Sequence, residues 1–171
     1  AEAVGLKSNF TIIDQDDQLR LIKSICNAEN IDIKKISPNF VISLINKWKN
    51  FGWYPENVVL KKSENLEKNL LKIYKIYQTK LTNLNACDFG DLILHCVSIF
   101  EKNQDINEMY SKNFKYILVD EYQDTNFIQS KWLKLLTKNH DNICCVGDDD
   151  QSIYSWRGAE IKNFLEFDKI Y

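Results

Sequence analysis

Two short acidic runs carry the chemistry that this sequence offers. The first is VDEYQDTN, residues 119–126, directly after the apolar KYIL; the second is GDDDQSIYSWRGA, residues 147–159, directly after the apolar NICCV. A carboxylate at the end of a buried strand is held rigidly and can reach a hard cation. Mg²⁺ takes one or two such ligands together with waters and substrate phosphates. Asp120 is the candidate ion ligand, and Glu121, turned to another face as the strand ends, is a candidate acceptor for the proton of an attacking water. An Asp-Glu pair standing alone would more simply cap the following helix at its positive end. In the second run, Gln151 offers an amide that can donate to a phosphate oxygen or orient a water without adding charge. Tyr154 and Trp156, two residues apart, project to one side of an extended segment and could stack bases of single-stranded nucleic acid, at roughly 1–3 kcal/mol per base. An isolated Y-x-W pair, by contrast, is more often core. Arg157 adds a planar fork for phosphate or carboxylate.

The elements that must position these residues follow from apolar periodicity. KYILVD and NICCVG are short apolar runs separated by the helical NFIQSKWLKLLTKNH. Strand, helix and strand of these lengths predict a right-handed βαβ unit in a parallel sheet buried on both faces. Ligands of open α/β sheets bind beyond the carboxyl ends of the strands, so Asp120 and Asp148 are expected on one edge. From Asp14 to about Asn85 the pattern is helical throughout. One helix opens on acidic residues with Leu19, Ile22 and Cys26 in phase. A second starts at Ser37-Pro38 and stops at Gly52, and a third carries the stripe Leu66, Leu70, Ile73, Tyr77 and Leu81. DFGDLILHCVSIFEK reads as a further helix after Cys87. The pattern change near residues 83–88 divides the chain into a helical part, 1–87, and an α/β part, 88–171.

Composition fits a globular, soluble protein: 44% hydrophobic and 27% charged residues over 171 positions. No apolar run approaches a membrane span and no leader is visible, so a cytoplasmic protein is expected. The N-terminus lacks an initiator Met and reads like the middle of a longer chain. Five cysteines without a C-x-x-C and two isolated histidines argue against zinc. Cys144 and Cys145, inside an apolar run, are expected to be small buried hydrophobes. Net charge is −2, yet residues 1–87 carry +4 and residues 88–171 carry −6, which suggests two surfaces with different partners.

Together, ILVDEYQDTN and CCVGDDDQSIYSWRGA closely resemble two successive motifs of the UvrD/PcrA/Rep type of superfamily 1 ATP-dependent DNA helicases. The first is their Walker B motif; the second couples nucleotide hydrolysis to single-stranded DNA. NFTIIDQDDQ and DFGDLI look like family segments flanking a helical insertion, so the resemblance covers residues from about 5 to 171. It implies an α/β fold, with residues 1–87 an all-helical accessory subdomain against duplex DNA and residues 88–171 the C-terminal part of the first RecA-like motor domain. Asp120 would bind the Mg²⁺ of ATP, Glu121 would activate the hydrolytic water and Gln151 would touch the γ-phosphate. Tyr154 and Trp156 would contact DNA bases, while Arg157, with Asp124, would link the two sites. Lys34, Lys35, Lys47, Lys49, Lys61 and Lys62 are candidate phosphate contacts of the helical part. One departure is Gly90, where the family usually has an acidic residue.

The loop G-x-x-x-x-G-K-[ST] that cradles phosphates is absent from the sequence. The 171 residues alone are therefore expected not to hydrolyse ATP, and the other helicase domains of the same chain are the expected partners. Two rivals remain. A metal-dependent nuclease could use Asp120, Glu121, Asp148, Asp149 and Asp150. A non-catalytic module could bind DNA or protein through the helical part.

Overall fold

The computed structural model describes residues 1–32, 36–59, 65–140, 142–154 and 158–171, and the chain divides into two compact units. The first comprises Ala1–Lys49 and Trp53–Leu92; the second comprises Asn50–Gly52 and Ile93–Tyr171.

The first unit is built on amphipathic helices whose apolar faces have no other way to leave water. Strand β1 (Thr11–Ile12) leads into α1 (Gln15–Ala28), where the Asp14 carboxylate accepts from the Asp17 N–H as N-cap. Helix α2 (Pro38–Asn50) follows, with Pro at its first position as the sequence predicts, and then α3 (Asn65–Asn83). Gly52, at φ 75°, lets the Trp53 N–H reach the Trp48 carbonyl and close the end of α2. Strand β2 (Ala86–Cys87) pairs parallel with β1, Thr11 opposite Ala86 and Ile12 opposite Cys87, so residues 1–87 are not all-helical as expected: the segments flanking the helices satisfy their backbone groups on each other. The core gathers Ile22, Ile25, Ile45, Ile73 and Tyr77, with Trp48 stacked on Tyr74 at 5.5 Å. Of the expected α3 stripe, Leu70, Ile73, Tyr77 and Leu81 are buried, whereas Leu66 is 46% exposed.

Helix α4 (Phe89–Lys102) opens on a reciprocal cap: Asp88 Oδ1 accepts from the Asp91 N–H and Asp91 Oδ2 accepts from the Asp88 N–H. Two carboxylates at one buried cap require a cation, and Lys49 supplies it. Its Nζ lies 2.6 Å from Asp88 Oδ2 and 2.7 Å from Asp91 Oδ1, fully out of water. A Cβ on Gly90 would stand 2.9 Å from Lys49 Cδ, so the departure at Gly90 leaves room for the lysine stem. Lys49 is thus not a phosphate contact. Lys47 is exposed, while Lys34, Lys35, Lys61 and Lys62 lie outside the described residues.

In the second unit, α5 (Gln104–Asn113) precedes β3 (Ile117–Val119), α6 (Phe127–Leu136) and β4 (Ile143–Cys145), with the short helices α7 (Ile161–Leu165) and α8 (Phe167–Ile170) closing the chain. Strands β3 and β4 pair in parallel, Ile117 opposite Ile143 and Val119 opposite Cys145, with α6 between them in sequence. The expected burial on both faces does not hold among the described residues: Leu118 is 82% exposed and Cys144 faces solvent beside it. Tyr122, Ile128, Leu133 and Leu136 are buried in this unit, with Tyr122 edge-on to Phe167 at 5.8 Å.

Candidate functional site at the strand tips

The ladder continues past β3 and β4 with one residue too many. The Val146 N–H donates to the Val119 carbonyl at 2.8 Å, and the Val146 carbonyl accepts from Tyr122 at 2.9 Å. A regular parallel ladder would use residues 119 and 121, so Asp120 and Glu121 form a bulge. Glu121 absorbs the extra residue in the left-handed region, at φ 51° and ψ 41°. Both carboxylates are turned outward by this device, and both are exposed. Asp120 Oδ1 accepts from the Glu121 N–H at 2.9 Å.

On the neighbouring tip, Asp148 caps the 3-10 turn Asp149–Gln151. Its Oδ1 accepts from the Asp150 N–H at 3.1 Å, and its Oδ2 accepts from Gln151 Nε2 at 2.7 Å. Gln151, exposed at the end of this turn, therefore sits on the same edge as Asp120 and Glu121, reached through the paired strands. The residue that joins the tips is Gln123, to which the sequence alone assigns no role. Its Nε2 donates to Glu121 Oε2 at 2.7 Å and its Oε1 accepts from the Asp148 N–H at 3.1 Å. The signal lay in the motif itself, since an amide two residues from a carboxylate can reach it once the backbone turns.

A second set of bonds ties the ends of the two motifs. Asn126 caps α6 in a capping box with Gln129 and bridges Ala159, while the Thr125 carbonyl accepts from Glu160 N at 3.0 Å and from Asn163 Nδ2 at 3.2 Å. Asp124 is half-buried, with Oδ1 out of water and without a hydrogen-bond partner among the described residues. Tyr154 is half-buried, its carbonyl accepting from Ala159 N at 3.3 Å. Trp156 and Arg157 lie outside the described residues.

The donor set fits a single-carboxylate Mg²⁺ site completed by water and phosphate, because Asp120 is exposed and commits one oxygen to a backbone bond. Among the described residues no three His, Cys, Asp or Glu side chains converge as a metal site. A two-metal nuclease would need such a cluster, and the described residues do not form one. No helix among the described residues is long and apolar enough to cross a membrane.

The family described as "UvrD/REP helicase N-terminal domain" matches residues 1–171. The chain is 45% identical over 167 residues to a "Probable DNA helicase II homolog" of Rickettsia conorii, covering 97% of this chain and 26% of that protein. It is 45% identical over 168 residues to the "DNA helicase II" of Rickettsia typhi, with the same coverage of 97% and 26%. It is 43% identical over 171 residues to the "ATP-dependent DNA helicase PcrA" of Staphylococcus epidermidis, covering 100% of this chain and 24% of that protein. The chain thus spans about a quarter of the length of these relatives.

Proposed function

The chain belongs to the UvrD/REP helicase N-terminal domain family, and from that premise we propose that it is part of the motor of a cytoplasmic ATP-dependent DNA helicase. In this reading residues 88–171 are the C-terminal part of the first RecA-like domain, and residues 1–87 are the accessory subdomain that lies against duplex DNA. The parent couples hydrolysis of Mg²⁺-ATP to translocation on single-stranded DNA and to unwinding, together with its remaining helicase domains.

The observation that supports this reading most is the bonded path from Glu121 through Gln123 and Asp148 to Gln151. It brings a candidate base and a candidate phosphate-sensing amide to one sheet edge, where nucleotides bind in α/β folds. Mg²⁺, when bound, would neutralise charge on the phosphates, with Asp120 as its protein ligand. Glu121 takes the proton of the attacking water, and its outward, left-handed backbone presents the carboxylate to a ligand rather than to the core. Gln151 leaves Asp148 to donate to the γ-phosphate. Tyr154 and Trp156 stack DNA bases, and Arg157 and Asp124 couple the two sites.

In the full-length parent, Glu121→Gln should lower the ATPase kcat by about 10²–10⁴-fold, with nucleotide binding retained. Wild-type turnover in that variant would overturn the assignment. The isolated 171 residues should show no DNA-stimulated ATPase, because their sequence lacks G-K-[ST]. Turnover in purified material that disappears with Glu121→Ala would refute this.

A further inference from the structure

Gln123 is among the most enclosed polar side chains of the second unit, at 1% exposure. A primary amide is a neutral side-chain group that donates at one end and accepts at the other. Its orientation here is forced. The Asp148 backbone N–H can only donate, so Oε1 must face it, and Nε2 is thereby aimed at the Glu121 carboxylate. Gly147 completes the fit, because a Cβ there would collide with Gln123 Oε1 and crowd the Phe164 ring.

The consequence falls on Glu121. Its backbone sits on a bulge and its side chain is exposed, so packing leaves the carboxylate several rotamers. The bond from Gln123 selects one of them and takes up Oε2. The reference point for that choice is not on the same strand but on the backbone of the neighbouring loop, where Asp148 also holds Gln151.

We propose that Gln123 is a positioning residue that aligns the Glu121 carboxylate against the 147–151 loop, so that the base is set only while that loop keeps its place. It acts through Glu121 and does not touch the nucleotide. The inference rests on the reading of Glu121 as the base.

The test uses the full-length protein carrying this chain, with steady-state and single-turnover ATPase of Gln123→Met, which keeps volume but removes both bonds. A mis-set base should cost on the order of 10²-fold in kcat, with KM for ATP unchanged. In a Glu121→Gln background the same substitution should cause no further loss. Gly147→Ala, which displaces the amide from the loop after β4, should reproduce the kcat defect, and it serves where Gln123→Met fails to fold. Full kcat in the folded variants, or an equal further loss on top of Glu121→Gln, overturns the proposal while leaving Glu121 as base. Full kcat in Glu121→Gln alone removes the base, and the proposal with it.

Discussion

Lys49 Nζ stands 2.6 Å from Asp88 Oδ2, and neither side chain has any exposure to solvent. Asp91 and the Tyr77 hydroxyl complete the cluster, the latter donating to Asp88 at 2.8 Å. Removing the cation would leave two buried carboxylates facing each other at one helix cap. Lys49→Met should therefore destabilise the protein by about 3–5 kcal/mol, read as a shift in the urea midpoint. Adding Asp88→Asn and Asp91→Asn to Lys49→Met should recover most of the loss. A single Lys49→Met variant as stable as wild type would show that the pair is not buried as described.

The same cluster makes stability depend on pH at both ends. Burial alone would raise the Asp88 pKa. The Lys49 ammonium, its hydrogen bond, the Asp91 N–H and the Tyr77 hydroxyl outweigh it and hold the carboxyl below its usual value. A depressed carboxyl pKa gives stability that is present above the unfolded value, about 4, and is lost as pH falls through the folded one. Tyr77 is shifted the other way, upward, by burial and then by the Asp88 charge. Its contribution is complete below about pH 10 and is lost as pH rises further. Thermal midpoints should form a plateau between these limits. A midpoint that does not fall between pH 6 and pH 3 would contradict the Asp88 assignment.

Four of the five thiols should separate into two classes. Cys26 and Cys87 are buried, and the Cys87 pKa is pushed up to about 11 by burial and then by Asp91 and Asp88. Cys96 and Cys144 are exposed. A thiol reagent at pH 8 should label Cys96 and Cys144 in the native protein and reach Cys26 and Cys87 only on unfolding. Uniform labelling of all five, followed by mass spectrometry of peptides, would be the contrary result.

Much of this arrangement was legible because it is local. The in-phase apolar residues of α1 and α3, Pro38 at the start of α2 and Gly52 at its end all act within a few residues, and the helices lie where those signals put them. The acidic tips of β3 and β4 were legible too, since short apolar runs ending in Asp leave few other readings. Three features depended on partners distant in sequence. Lys49 meets Asp88 across 39 positions, so composition could only count it as a surface charge. Gln123 finds the Asp148 backbone across 25 positions, and only the strand register brings them together. Strands β1 and β2, two residues each, are too short for alternation to register. The outward faces of Leu118 and Cys144 broke the expectation of a doubly covered sheet, because an apolar run states what could be buried and not what covers it.

The left-handed backbone of Glu121 offers a separation of stability from function. A residue with a Cβ at φ 51° incurs steric strain of about 1–2 kcal/mol that glycine avoids. Glu121→Ala and Glu121→Gly both delete the carboxylate and its bond to Gln123, so their difference isolates the backbone. Glycine also makes the unfolded chain more flexible, which offsets about 0.4–1 kcal/mol of the relief. The glycine variant should still be the more stable of the two, by about 0.5–1 kcal/mol, or roughly 1–4 °C in Tm for a chain of this size. With the role proposed for Glu121, both should lack turnover in the full-length parent. An alanine variant equal to or more stable than the glycine variant would mean that Glu121 is not held in the strained conformation, and that the bulge does not aim it.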